Sequence, residues 1–281
     1  MTANRVEKAV VRIGNLALYI GMLGAALLTL FPFIWMLLAS VRTDVDIFRN
    51  PMNWFPEEWH WQNYSTVWDV IPFGQYYWNT VKLTIAITAG QLIICALAAY
   101  AFARLKVPFK QTLFMLFMTN LMVPWHSIMV PQFMIISKLD LYNTHEGYVL
   151  IQLFSAFGIF LLRQFFMTLP IELNEAGRID GCSEWGIFWR IILPLARPAL
   201  ATLGIFTFTF MWNDYLAPLI YINDDSLKTL QLGLQAFQTE HSMDYGLLMA
   251  GTVCTILPMI AVFLVGESFF TKGVATTGMK N

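Results

Sequence analysis

Residues 83–103 read Leu83-Thr-Ile-Ala-Ile-Thr-Ala-Gly-Gln-Leu-Ile-Ile-Cys-Ala-Leu-Ala-Ala-Tyr-Ala-Phe-Ala103 and contain no charged side chain. An α-helix needs about 20 apolar residues to cross the hydrocarbon core of a bilayer, so this stretch is long enough to span it. Further windows of this kind occur in the 281-residue chain, at 13–41, 111–137, 147–162, 198–223 (interrupted only by Asp214) and 245–266. Together they predict an all-α membrane protein with six transmembrane helices.

The amino-acid composition agrees with this class and excludes several others. Hydrophobic residues make up 57% of the chain and charged residues 12%, whereas a typical soluble domain carries about 25% charged residues. A net charge of -1 leaves no basic surface for nucleic acids. The cysteines Cys95, Cys182 and Cys254 are isolated, so neither a disulfide framework nor a metal site is predicted.

We expect a single transmembrane domain over residues 1–281 with one long loop. The predicted spans are about 14–40, 80–103, 112–136, 147–166, 198–222 and 246–270. The window at 147–162 is short, and it crosses the bilayer only if the charged end of Arg163 extends toward the interface. Residues 167–197 are neither a span nor a tight turn, and a connection of this length usually has a function.

The distribution of positive charge predicts the orientation, because loops on the cytoplasmic side of a membrane carry an excess of Lys and Arg. With the N-terminus inside, the inner segments hold 12 of the 17 basic residues, namely Arg5, Lys8, Arg12, Arg104, Lys106, Lys110, Arg163, Arg178, Arg190, Arg197, Lys272 and Lys280. The outer segments hold the other five, which are Arg42, Arg49, Lys82, Lys138 and Lys228. Both termini are therefore predicted to be cytoplasmic.

The third and fifth windows carry interruptions. Pro124 and Pro131 flank His126 in the third, and Asn213 and Asp214 precede Pro218 in the fifth. Proline removes a backbone donor and kinks a helix, and broken spans often mark a translocation path. Pro124, His126, Asn213 and Asp214 are therefore candidate path residues. A plain packing kink, and for Asp214 a bond to the kinked backbone, are the alternatives.

The long loop reads Thr168-Leu-Pro-Ile-Glu-Leu-Asn-Glu-Ala-Gly-Arg-Ile-Asp-Gly181-Cys-Ser-Glu-Trp-Gly-Ile-Phe-Trp-Arg-Ile-Ile-Leu-Pro194. Pro170 suits the first turn of a helix, Gly181 suits its left-handed end, and Ser183 is a candidate cap for a second helix that Pro194 closes. Helices that lie on anionic lipid are usually rich in Lys and Arg. Counted from Arg163 to Arg197, this loop has four acidic and four basic residues, which favours a docking surface for a protein.

The loop resembles the EAA loop of the membrane subunits of ATP-binding-cassette (ABC) importers. The matching positions, at the spacing of that motif, are Glu175-Ala176-Gly177, Gly181, Ile191 and Leu193-Pro194. Gly177 departs from the usual Ala. Other segments are similar to the carbohydrate-uptake branch, which includes the smaller permease of the maltose and sn-glycerol-3-phosphate systems; they are Leu30–Ser40, Asn63-Tyr64, Asn79-Thr80, Arg163–Pro170, Trp212–Leu219 and Gly273–Gly278.

The resemblance implies a type I ABC importer permease fold in the bacterial cytoplasmic membrane. It also implies a second permease subunit, two copies of an ATPase that hold ATP and Mg²⁺, and an extracytoplasmic solute-binding protein. Glu175 would contact the ATPase, Ala176 and Gly177 would keep the contact face small, and Gly181 would permit the turn. Candidate coupling residues by the same resemblance are Glu175, Ala176, Gly177, Asp180, Gly181, Ile191, Leu193 and Pro194.

Several readings of the function stay open beside uptake of an oligosaccharide. No Gly-Lys pair occurs, so the chain has no phosphate-binding loop of the G-x-x-x-x-G-K type and is not expected to be an ATPase. A membrane-embedded enzyme is a further alternative, but the four histidines are scattered and neither H-E-x-x-H nor Gly-x-Ser-x-Gly occurs, so the chain is not expected to be an enzyme. An ion-coupled transporter would leave the EAA loop unexplained. The solute is also open, with sn-glycerol-3-phosphate as the alternative, although a phosphate would favour Arg or Lys inside the spans.

Overall fold

The structure is a computed structural model that describes residues 3–49, 53–56, 58–238 and 244–278, with the backbone alone at 3–11, 13, 49 and 267–278. The elements in these ranges are all helices, which confirms the all-α prediction. The α-helices are α1 Ala3–Ala39, α2 Asp44–Arg49, α3 Gln62–Val70, α4 Phe73–Arg104, α5 Lys110–Met118, α6 Trp125–Lys138, α7 His145–Gln152, α8 Ala156–Thr168, α9 Glu172–Ile179, α10 Glu184–Ile187, α11 Leu193–Leu195, α12 Arg197–Trp212, α13 Leu216–Tyr221, α14 Leu230–Leu234 and α15 Tyr245–Gly278. Short 3-10 helices cover Thr119–Met122, Asp225–Leu227 and Gln235–Phe237, and a π-helix covers Phe188–Ile192.

Three helical segments in the described ranges are long and apolar enough to cross a bilayer without a break: Gly14–Ala39, Phe73–Arg104 and Tyr245–Gly266. Three further candidates are bent pairs. They are Lys110–Met122 with Trp125–Lys138 at 104°, His145–Gln152 with Ala156–Thr168 at 43°, and Glu184–Leu195 with Arg197–Trp212 at 77°. The structure therefore supports three to six spans, and the predicted six requires each bent pair to be one span. The predicted orientation of the termini stays a prediction.

Each break has a local chemical cause. At the first, Pro124 precedes α6, and the chain changes direction there as the sequence suggests. The second break was not anticipated: the hydroxyl of Ser155 accepts from the amide of Gly158 at 3.0 Å and so starts a new helix inside an apolar window. At the third, Pro198 occupies the first turn of α12, directly after the bend at Ala196.

The predicted roles of two loop prolines need correction. Pro170 lies before Ile171 and outside the first turn of α9. Pro194 does not close the second helix, because helical structure continues to Leu195. The π-helix just before it, in which the amide of Leu193 bonds to the carbonyl of Phe188, lets the chain pass through a residue that has no N–H to donate.

Residues 72–235 and 256–281 form one compact unit, whose core is built on α4. Every third or fourth residue of α4 is buried, and this stripe packs on α8 and α12. Around Cys95 the buried side chains of α4 are small, which lets α8 approach closely at Gly158. Arg163 does not reach outward as predicted; it is buried, and its guanidinium lies 4.0 Å from the ring centre of Phe114.

Residues 1–71 and 236–255 form the second unit. Arg42 is fully buried there, donates to the carbonyl of Asn53 and lies 3.6 Å from a carboxylate oxygen of Asp46. The Asn63 amide donates to the carbonyls of Ser40 and Arg42 at 3.0 and 2.9 Å. Polar side chains bound to backbone carbonyls thus hold the segment that follows α1.

The close approach at Gly158 generates a testable prediction. A methyl group there would lie 2.9 Å from Sγ of Cys95 and 3.1 Å from Cδ1 of Leu203, both buried. We expect Gly158→Ala to lower the stability of the detergent-solubilised protein, since overpacking costs about 1–3 kcal/mol. Thermal unfolding followed by tryptophan fluorescence measures it.

Gly204→Ala on α12 is the matched control. The methyl group it adds meets only the Leu92 side chain, with Cδ1 at 3.5 Å and Cδ2 at 3.9 Å, which are ordinary contacts. The melting temperature of this variant should equal or exceed that of the wild type because alanine favours the helix. Equal melting temperatures for the two variants would contradict the close packing of α8 on α4.

Candidate functional site

The loop between α8 and α12 forms the helix, turn and second helix that the sequence predicts. Gly181 follows α9 with a φ of 77°, a conformation that glycine adopts at little cost. The amide of Cys182 donates to the carbonyl of Gly177 at 2.9 Å and closes the helix end. Ser183 caps α10, since its hydroxyl accepts from the amide of Gly186 at 3.2 Å. The turn therefore sets the direction of α9 relative to α10.

α9 has an inner and an outer face. On the inner face Asn174 is fully buried and Gly177 is buried against its own chain. The outer face is exposed, and Ile179 there is 86% exposed. Seven residues of α9 and its turn are exposed; Arg178 is one of them and pairs with Glu184 of the same loop, and the other six are Glu172, Glu175, Ala176, Ile179, Asp180 and Gly181. We call these six residues the outer face of the loop.

Gly177 does not belong to the outer face, so the expected role in keeping that face small needs correction. A methyl group at this position would lie 2.9 Å from Cγ1 of Ile187 and 3.0 Å from Cδ1 of Ile191. The glycine in place of the usual alanine therefore suits packing inside the loop. Ile191 and Leu193 are partly buried against the core of the unit, while Pro194 is exposed.

A chain of hydrogen bonds joins the loop to α4. Tyr100 donates to Oε2 of Glu184 at 3.0 Å and accepts from Nδ2 of Asn174 at 3.1 Å. Arg178 donates to Oε1 of Glu184 at 2.6 Å. This guanidinium lowers the pKa of the Glu184 carboxyl, which therefore stays charged at neutral pH. The sequence analysis did not single out Tyr100 or Asn174, because nothing local links residues 74 positions apart.

Arg104 holds the segment that enters the loop. Its guanidinium donates to the carbonyls of Phe166 and Leu169, the latter at 2.6 Å. These carbonyls lie at the end of α8, where the last turn of a helix has no intrahelical donor. A cation at this end also complements the helix dipole.

Asp214 lies at the break between α12 and α13 and binds groups of its own chain. Its Oδ2 accepts from the Tyr148 hydroxyl at 2.8 Å and from the Gln152 amide at 3.1 Å, and its Oδ1 accepts from the amide of Ala217 at 3.3 Å. The carboxylate thereby caps α13 and joins it to α7. This geometry supports bonding to the kinked backbone over direct solute contact for Asp214.

Two adjoining cavities open beside this break. The first has a volume of about 420 Å³ and is lined by polar groups of Gln91, Gln152 and Thr207. The second, of about 500 Å³, is lined by Asn213 and Asp214. The rings of Phe206 and Phe210 line both. Pro124 and His126 are exposed at the start of α6 and are not among the lining residues of either cavity.

Comparison with known proteins identifies the family. Residues 91–272 match the family described as "Binding-protein-dependent transport system inner membrane component". The chain is 34% identical over 256 residues to the sn-glycerol-3-phosphate transport system permease protein UgpE of Yersinia enterocolitica, covering 88% of this chain and 91% of that protein. It is 32% identical over 250 residues to the lactose transport system permease protein LacG of Rhizobium radiobacter, covering 89% and 91%. It is 32% identical over 266 residues to the arabinooligosaccharides transport system permease protein AraQ of Halalkalibacterium halodurans, covering 94% and 95%.

Solved structures share the fold. A chain of a bacterial ABC transporter involved in the import of the acidic polysaccharide alginate superposes with a TM-score of 0.81 at 24% identity, over 92% of this chain and 97% of that chain. A chain of the alginate ABC transporter in complex with an alginate pentasaccharide-bound periplasmic protein gives 0.64 at 11% identity, over 89% and 92%. The family match, the three relatives and the shared fold agree with one another. The chain therefore belongs to the binding-protein-dependent transport system inner membrane components, as a carbohydrate ABC importer permease.

Proposed function

We propose that this chain is one of two permease subunits that form the pore of a type I ABC importer in a bacterial cytoplasmic membrane. In this proposal the outer face of the loop docks on an ATPase subunit. The observation that carries it is the two-sidedness of α9: Asn174 and Gly177 are held against the chain's own core, while Glu175 and Ile179 are exposed. Such a face fits a protein partner better than lipid, because it combines acidic and apolar side chains.

The mechanism follows from this docking. ATP would bind the closed ATPase dimer, the two docked helices would approach each other, and the spans would change from inward-facing to outward-facing. ATP shifts this equilibrium only to the extent that it binds one conformation more tightly than the other. The candidate coupling residues Glu175, Ala176, Asp180 and Gly181 are all exposed. Gly177, Ile191, Leu193 and Pro194 would support the docked helix from within the loop and behind it.

The partners in this proposal are a second permease, two copies of an ABC ATPase and an extracytoplasmic solute-binding protein. ATP and Mg²⁺ would be held by the ATPase, and this chain would catalyse no reaction itself. The alginate transporter with its bound periplasmic protein supports the last of these partners by analogy of fold.

We infer that the solute is a neutral sugar, most simply an oligosaccharide. The lining of the two cavities combines aromatic rings, which pack on the C–H faces of sugar rings, with amide and hydroxyl groups that bind sugar hydroxyls. None of their lining residues is Arg, Lys or His, the groups that would bind a phosphate. A relative named for sn-glycerol-3-phosphate keeps that solute as the alternative. The family that this chain matches is described as a binding-protein-dependent transport system component, which disfavours an ion-coupled transporter.

The translocation path would run beside the interruption between α12 and α13, in the predicted fifth span at about 198–222. Asn213 is exposed beside the second cavity and could reach a solute, whereas Asp214 would position Gln152 and the start of α13. Pro124 and His126 stay candidate path residues at the break before α6. Any contact that these two residues make with a solute would lie outside the two cavities.

The assembly predicts what co-purifies with the chain. Affinity purification from the native membrane in mild detergent, followed by mass spectrometry, should recover a second permease, an ATPase and a binding protein. Thermal-shift screening of that binding protein against sugars and sn-glycerol-3-phosphate would then identify the solute. Failure to recover an ATPase even after crosslinking would overturn the coupling assignment and reopen ion-driven transport.

The docking face predicts the effect of charge reversal at Glu175. Because Glu175 is exposed and has the family's coupling position, Glu175→Lys should reduce sugar uptake by at least about tenfold while membrane insertion is unchanged. Gly181→Asp should have the same effect, because an aspartate strains the left-handed turn at φ 77° that orients the outer face, although a Cβ there meets no atom of this chain within 4 Å. Uptake of labelled sugar into cells or proteoliposomes is the measurement.

Glu146→Lys on α7 provides a control outside the loop. Glu146 is also exposed, but it does not belong to the outer face of the loop, so we expect a much smaller loss of uptake. Normal transport by both Glu175→Lys and Gly181→Asp would overturn the proposed docking surface.

The cavities predict a role for Phe210 in sugar affinity. Phe210 is 69% exposed and lines both cavities, so Phe210→Ala should raise the KM for uptake by about tenfold, the usual effect of removing an apolar binding group. Phe263→Ala on α15 is the control, because Phe263 is similarly exposed, at 59%, and lines neither cavity. The same KM in both variants would argue against a solute path at this break.

A further inference from the structure

The C-terminal end of α4 contacts the loop at several points, although α4 is not part of the loop. Tyr100 is 4% exposed, and its ring packs on Phe166 of α8 and Phe188 of the π-helix with ring centres 6.4 and 5.1 Å apart. Its hydroxyl binds Asn174 of α9 and Glu184 of α10. One side chain of α4 therefore touches every helical segment from the end of α8 to the π-helix.

The backbone connections of the loop to α8 and to α12 are irregular or bent by comparison. The segment Leu169–Ile171, which joins α8 to α9, has no helical structure. On the other side, helix Glu184–Leu195 meets α12 at a bend of 77°. A force applied to the outer face of the loop could be absorbed by rotation at these two joints, since helix ends without regular structure take up changes of backbone angle.

α4 continues from this contact to the proposed solute cavity. Gln91 lies nine residues before Tyr100, about 13.5 Å along the helix. Its amide oxygen accepts from the Thr207 hydroxyl of α12 at 3.0 Å, and its amide nitrogen donates to the carbonyl of Gln152 at the end of α7. A movement of α4 would therefore reach both α12 and α7 at the first cavity.

We propose that Tyr100, Asn174 and Glu184 form a polar clamp that makes α9 and α4 move as one body, and that this clamp transmits the ATPase stroke to the cavity. The three are positioning residues: they act through α4 and touch neither ATP nor solute. Arg104 supports the clamp one turn further along α4, where it holds the carbonyls of Phe166 and Leu169. This inference rests on the proposed docking of the loop on an ATPase.

Tyr100→Phe is the test, because it removes the hydroxyl and keeps the ring. The purified transporter is reconstituted with its ATPase and its binding protein, and both sugar import and ATP hydrolysis are measured. We expect hydrolysis to continue while sugar imported per ATP falls by about threefold or more, within the range that disrupted coupling contacts produce. Asn174→Ala, which removes one arm of the clamp, should lower the same ratio and serves if Tyr100→Phe does not assemble.

Tyr221→Phe is the matched control. Tyr221 is 1% exposed, and its hydroxyl donates to the carbonyl of Met129 at 3.1 Å, so the substitution removes an equivalent buried hydrogen bond away from the clamp. Its import per ATP should equal that of the wild type. An equal fall in the control and in Tyr100→Phe would show a general effect of packing and would overturn the clamp.

A second measurement reports on the clamp without transport. Spin labels at Glu172→Cys on α9 and Ile94→Cys on α4, with the native cysteines replaced, should give one narrow distance that ATP does not change. In Tyr100→Phe the distance should broaden or shift when ATP is added. If Glu175→Lys reduces uptake as expected but Tyr100→Phe changes neither the distance nor the import ratio, the clamp is overturned and the docking stands. If Glu175→Lys transports normally, the proposed docking itself is overturned.

Discussion

The constraint on which this structure depends is that a backbone group freed inside a membrane must find its partner within the protein. Water is absent from the hydrocarbon core, so an unpaired N–H or C=O there costs several kcal/mol. The chain breaks three of its candidate spans, and at one of these breaks Ser155 caps the new helix α8. At two other helix ends, Asp214 accepts from an amide in the first turn of α13 and Arg104 binds carbonyls at the end of α8. Where these side chains stand decides where helices can change direction.

The loop between α8 and α12 is bonded to α4 on one side and exposed on the other. Arg104 and Tyr100 hold the entrance and the inner face of the loop on α4, so the outer face is presented in a defined orientation. A docking surface needs this property, because a partner that displaces a loosely attached helix performs no work on the rest of the protein. The buried Asn174 is in this view as important as the exposed Glu175, although it touches no partner.

The sequence predicts those features whose chemistry is local. The left-handed turn at Gly181 and the cap at Ser183 follow from residue type and near neighbours, and the structure has both. The break at Ser155 was missed because hydropathy does not distinguish a serine that caps a helix from one that lies inside it. The contacts of Tyr100 with Asn174 and Glu184 join residues 74 and 84 positions apart, which no local pattern encodes without the packing of α4 on α8. The inward direction of Gly177 is likewise a property of packing.

Under the proposed function, solute recognition and coupling would be located in different parts of this chain. Relatives of nearly equal identity are named for sn-glycerol-3-phosphate, lactose and arabinooligosaccharides, so overall similarity does not determine the solute. The loop and its clamp would carry the same motion whatever is transported, since they contact α4 far from the cavities. Specificity must then lie in the few side chains that line the cavities and in the partner subunits. Because Gln91 joins α4 to the cavity wall through Thr207 and Gln152, it would be the residue through which the proposed movement of α4 reaches the proposed solute cavity.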